Sequence, residues 1–212
     1  MTVLTVQVEA NGDDGHRTWD EGLSDWSFVN NGNSVYLGSE NSGMEATSTT
    51  CYFRFLDVDI PASATINSAK LQYKLGASYS YSSKSCRIYA DARSASSAAI
   101  ASDGNLSGAQ GSMTTDYATW NLSTSSSTSF LDSADFTDVI DEVINTAGWD
   151  ASSNNITILL YNPTDADMMD SWVLDIKAHE VSSGADAVKL VIDYTEASEG
   201  AATSEAFLLF VD

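Results

Sequence analysis

A proline-terminated alternation restricts this chain more than any other feature. From Cys51 to Ile60, Cys51, Phe53, Phe55 and Asp57 share one side, while Tyr52, Arg54, Leu56, Val58 and Ile60 share the other. A period of two is the strand repeat, and apolar residues on both sides predict a central strand rather than an edge. Pro61 stops it, because proline has no N–H to give to a ladder. Ile66 to Leu75 then alternates Leu71, Tyr73 and Leu75 against Lys70, Gln72 and Lys74, which predicts a strand with one wet face.

The same signals recur along the chain. Thr2 to Glu9, Trp26 to Val29, Ser34 to Gly38, Cys86 to Ala92, Asn155 to Tyr161, Ser171 to Ala178 and Ala187 to Tyr194 all read as strands between turn-forming residues. One helix stands out: Phe136, Val139, Ile140, Val143 and Ile144 follow i, i+3, i+4, i+7, i+8. Asp132 or Ser133 is expected to cap it, and Gly148 to end it with Trp149 folding back. Ser94 to Gly111 has no clear period and is expected to be a surface loop with at most one helical turn. The fold expected is all-β: a jelly-roll-like sandwich with one short embedded helix, about 134–147. Residues 1–195 form the domain, and 196–212 form a linker and an apolar end.

Charge narrows the partners. Nine Lys and Arg stand against thirty Asp and Glu, a net −21, and such a field repels nucleic acid. Lys70, Lys74, Lys84, Arg87 and Arg93 are spaced singly, which predicts no basic patch. The acidity fits solubility in a salty medium or divalent-cation binding. No apolar run approaches the ~18 residues of a membrane span. The start at Met1 lacks a basic region and a long apolar region, so synthesis without Sec export is expected.

Catalytic material is sparse. Two histidines and no G-x-S-x-G elbow leave little for nucleophilic chemistry. Carboxylate pairs of the kind glycosidases use could come from Asp57 with Asp59, from Asp165, Asp167 and Asp170, or from Asp91 with Asp175. None is marked out by its surroundings, and no enzyme is expected. Calcium is the one cofactor considered, because hard cations gather loop oxygens. Asn11 to Asp14 and Asp165 to Asp170 offer such loops, and both read equally as ordinary Asp-rich turns. Cys51 and Cys86 show neither zinc nor redox spacing.

The segment from Tyr52 to Leu71, YFRFLDVDIPASATINSAKL, resembles the RF-x-x-x-x-IP-x-GATI-x-x-A-x-L core of DNRLRE-type β-sandwich domains, which are related to carbohydrate-binding modules. It is similar in particular to a group of tailed-phage virion proteins with that core. Further matches follow in order: Asp13-Asp14 with Trp19, Thr115 to Trp120, Val139 to Trp149, and Lys189 to Tyr194. The likeness spans roughly residues 3 to 195. Ser63 stands where the pattern has glycine.

The resemblance implies a structural protein displayed on a virion surface, as a capsid decoration, head fibre or tail component. It also implies contacts to other capsid or tail proteins and a homo-oligomer, for which trimers are the usual form. Through the carbohydrate-binding relatives it implies a calcium ion tying the first strand to the last, with Glu9, Asp13, Asp14 and Asp193 at the matching positions. The alternative function is glycan recognition through Trp26, Tyr79 and Tyr81. Beyond the resemblance, the apolar end Phe207, Leu208, Leu209, Phe210 and Val211 is expected either to complete the sandwich or to dock on a neighbouring subunit.

Overall fold

The central strand expected from the sequence is the point at which one sheet branches. In the computed structural model, which describes residues 1–20, 24–40, 46–80, 84–150, 154–161 and 172–197, the elements run as follows. The first half contains β1 (Thr2–Gln7), β2 (Asp14–Asp20), β3 (Asp25–Val29), β4 (Ser34–Glu40), β5 (Ala46–Phe55), β6 (Thr65–Tyr73) and β7 (Ser85–Ala90). The second contains α1 (Asp103–Gln110), β8 (Ala118–Asn121), β9 (Leu131–Asp132), α2 (Thr137–Ile144), β10 (Ile156–Tyr161), β11 (Trp172–Lys177) and β12 (Lys189–Thr195).

Two antiparallel sheets face each other. The smaller has the order β1-β12-β6-β9, and the larger runs β11-β4-β5-β10-β7-β8 with the β2–β3 hairpin also on β5. Along one edge β5 pairs with β2; along the other it pairs first with β4 and then with β10. The chain past β6 reaches across to β11, where Lys177 N–H donates to Lys74 O at 2.9 Å and Gly76 N–H to Asp175 O at 3.0 Å. That bridge joins the sheets along one side.

Cys51, Phe53 and Phe55 point into the space between the sheets and are fully buried with Leu71, Leu190 and Ile192 opposite. Burying a side chain of this size stabilises by ~1.5–3 kcal/mol. The β5 ladder ends at Phe55, five residues short of the predicted end. Asp57 there takes a left-handed backbone (φ 50°), and Val58 and Ile60 reach the core from irregular chain.

Helix α2 lies within the predicted span and buries Val139, Ile140, Val143 and Ile144 against β6 and β7. Its N-cap position is Phe136, without a side-chain capping bond, and neither Asp132 nor Ser133 takes the expected role. Asp135 accepts from Thr137 N–H at 3.0 Å, whereas Ser133 accepts from Leu71 N–H and Asp132 lies in β9. Gly148 has φ 91°, and Trp149 folds back to donate its indole N–H to Ile60 O at 2.7 Å.

The segment read as a plain surface loop contains α1, capped by Ser102, whose hydroxyl accepts from Asn105 N–H. It covers the outer face of the larger sheet. Leu106, Ala109 and Ile100 are buried there against Tyr52, Tyr89 and Leu159 as a second core.

Candidate functional site

At the end of the sandwich where β1 turns into β2, the structure brings Asp13 and Asp14 together. Asp13 is committed to Arg54: their ion pair is 2.9 Å long, Asp13 being buried and Arg54 half-buried, and Arg54 also donates to Ser97 O at 3.2 Å. Asp14 is 1% exposed, and its carboxyl accepts the backbone N–H of His179 at 2.8 Å. Burial pushes its pKa up to about 7, and the Glu180 and Asp13 carboxylates add to the rise. Both Glu180 carboxyl oxygens are buried without a hydrogen-bond partner.

The other two implied calcium ligands lie elsewhere. Glu9 is exposed, just after the point where Val8 N–H bonds Val188 O. Asp193 stands opposite Val3 and accepts from Asn67 at 3.2 Å, five residues and roughly 17 Å farther along the ladder than Val188. The four residues therefore do not fit one ion. Among the described residues no three His, Cys, Asp or Glu side chains converge to hold a metal. Asp165, Asp167 and Asp170 lie outside the described residues. Asp91, another candidate carboxylate, is buried and held by the Arg93 guanidinium at 2.7 Å.

The aromatic candidates separate. Trp26 is half-buried on β3, its ring 5.2 Å from that of Trp19 on β2, with the Arg17 guanidinium 4.2 Å above it. Arg17 is itself held by Gln110 and, at 3.6 Å, by Asp103 of α1. Tyr79 is not a surface residue: it is 2% exposed and lines a cleft of about 290 Å³ between the sheets, with Tyr73, Trp120 and Leu174. Tyr81 lies outside the described residues, as do Phe207 to Val211.

A group absent from the sequence reading centres on Tyr117, which is 46% exposed. Arg87 lies 4.5 Å over its ring, and Tyr89 is 5.3 Å away. The two arginines belong to one row across the outer face of the larger sheet: Phe28, Arg17, Thr50, Tyr161, Arg87 and Thr119 are successive cross-strand partners. Only the pairing of β2, β5, β10 and β7 reveals that row.

The lysines that are spaced singly in sequence are brought together, with Asp132 and Asp186 among them. Four of the five lysines meet on the outer face and rim of the smaller sheet. Lys74 and Lys189 hold their ammoniums 4.8 and 4.3 Å from the Phe130 ring, Lys74 and Lys177 both bond Asp186, and Lys70 lies 4.0 Å from Asp132. The two lysines hold the Asp186 carboxyl down at about 2. They were hidden because Lys70, Lys74, Lys177 and Lys189 sit on separate strands or strand ends that only register makes neighbours.

No protein-family model matches the chain, and no curated protein matches it in sequence. The geometry offers contact surfaces. Asp14 titrates where general acid–base chemistry operates, but its carboxyl is closed off from solvent and engaged with a backbone N–H.

Proposed function

We propose that this chain is a structural protein displayed on the surface of a tailed-phage virion, as a capsid decoration, head fibre or tail component. It works by assembly and contact, without turnover. The observation that carries this reading is the resemblance over roughly residues 3 to 195. Its most specific residues sit at structural points: Arg54 neutralises Asp13, and Phe55, Ile60, Ile66 and Leu71 are buried. A motif used for architecture leaves the outer face of the smaller sheet, and the part of the larger sheet's outer face that α1 does not cover, for contact with capsid or tail proteins and with further copies of the chain. The test is mass spectrometry and cryo-EM of native particles. Symmetric surface density that fits the sandwich supports the reading; particles that lack the chain overturn it.

A second reading is glycan binding, favoured by the Trp19–Trp26 pair beside Arg17 and by exposed Tyr117. Aromatic faces stack on sugar rings while a guanidinium supplies hydrogen bonds. Binding on a glycan array that is lost in Trp26→Ala or Tyr117→Ala supports it, and an array without signal removes it. Deleting residues 206–212 tests the apolar end separately: loss of folding assigns it to the sandwich, and loss of assembly alone assigns it to an interface.

A further inference from the structure

The lysine face is out of keeping with the rest of the molecule. Four of nine cations gather on it; among the described residues Asp132 and Asp186 are their ion-pair partners, and Asp193 stands on the same face of β12. Lys189 has the Phe130 ring as its described partner and no carboxylate. Lys70 reaches Asp132 only at 4.0 Å, with its side chain 41% exposed. The strands beneath are paired: Lys189 stands opposite Gln72 and Gln7, and Lys70 opposite Val191, itself opposite Thr5. Among the described residues this face carries a small excess of positive charge, on a chain of net −21.

The complement is on the same chain. Asp116, Asp138, Asp141 and Glu142 surround an open depression of about 460 Å³ at the exposed side of α2. Glu142 fixes its rim by accepting from Thr115 N–H at 2.9 Å and Asp116 N–H at 2.8 Å. Asp141 titrates above its usual range because of burial and the neighbouring Asp138. Among the described residues, none of these carboxylates has an ion-pair partner. Within one molecule no ion pair among the described residues joins this rim to the lysine face; between two copies such pairs can form.

We propose that the chain self-associates head to tail, the Lys70/Lys189 face of one copy docking on the Asp116/Asp138 rim of the next. This deepens the assembly reading by naming its surface and rests on that reading for its biological use. Such a contact is heterologous, so it closes into a ring or extends, according to the rotation between copies. Repulsion between net charges is largely screened beyond ~8 Å at physiological salt, whereas pairs at the contact lie within that length.

The experiment is multi-angle light scattering of the purified chain, with no particle present, at about 0.15 M and about 1 M NaCl. We expect a mass that rises with concentration at the lower salt and returns to the monomer at the higher. Lys70→Glu/Lys189→Glu and Asp116→Lys/Asp138→Lys should each weaken association by about tenfold or more. An equal mixture of the two variants should recover association in one-to-one, alternating stoichiometry, which also shows that both are folded. A monomeric wild type at every concentration overturns the proposal. So does association that neither reversal weakens, or a mixture that fails to pair. Presence on virions is read separately by mass spectrometry, so either idea can fail alone.

Discussion

Asp14 and His179 are 165 residues apart in sequence, yet the carboxyl of one accepts the backbone N–H of the other at 2.8 Å. This contact ties the β1–β2 turn to the loop between β11 and β12. It is also made by a buried acid whose pKa is raised to about 7.

The sign of its pH dependence follows from linkage. Folded Asp14 holds its proton more tightly than the unfolded chain, for which 3.8 is the ordinary value. Its contribution is complete below that value and is lost as pH rises toward 7. Two residues on, His16 is buried and lowered from 6.5 to about 4, so its contribution is present above 6.5 and lost as pH falls. The two slopes oppose each other between about 4 and 6.5. In urea titrations Asp14→Asn should gain up to about 4 kcal/mol on wild type between acid and pH 8. His16→Gln should lose ground to wild type as pH rises from 4 to 6.5. Parallel pH profiles for wild type and both variants would overturn this assignment.

The Arg54–Asp13 pair gives a second outcome. Arg54→Met leaves a buried carboxylate without its counter-ion and should cost about 3–5 kcal/mol, most of it restored by adding Asp13→Asn. Because Arg54 already holds this carboxylate, calcium and EDTA should leave the wild-type Tm unchanged. A rise of several degrees on adding calcium would return the Asn11–Asp14 loop to cation binding.

The second core can be tested at Leu106, which is completely buried beneath α1. Leu106→Ala should destabilise by about 2–4 kcal/mol. A loss below about 0.5 kcal/mol would mean that residues 94–111 are the unstructured covering suggested by their composition.

Cys51 and Cys86 are free thiols, buried in the core, and burial pushes both pKa values up. They lie on β5 and β7 with β10 between. Two strand spacings amount to about 9.6 Å, beyond the ~7 Å over which Cα atoms can be bridged. Thiol reagent should therefore react with neither in the native state and with both in denaturant, without reductant. One or no thiol in that second assay would contradict the strand order.

Legibility in the sequence follows the division of labour among residues. β5, β6, β10, β12 and α2 were legible because apolar side chains at a fixed period do the burying. β2 was not, because Asp14, His16 and Arg17 occupy buried positions that a hydrophobic pattern cannot flag, and its Gly15 is required where a Cβ would lie 2.3 Å from Val29 O. α1 was obscured by Gly104, Ser107 and Gly108, although Ser102 followed by Asn105 is a capping signal. The separation of Asp193 from the other implied ligands and the gathering of the lysines were illegible for one reason: register decides them. Asp193 belongs opposite Val3 and Lys189 opposite Gln72, and neither relation is local in sequence.

The pairing of β1 with β12 also determines how the domain bears load. Thr2 lies opposite Tyr194, so the two ends of this ladder leave the sandwich at the same corner. Tension applied between them would open the rungs one after another, from Thr2–Tyr194 toward Gln7–Lys189, and would not shear all six together. A sandwich tethered in this way is mechanically soft along its own chain, and a load spread over its outer faces would bypass that weak seam.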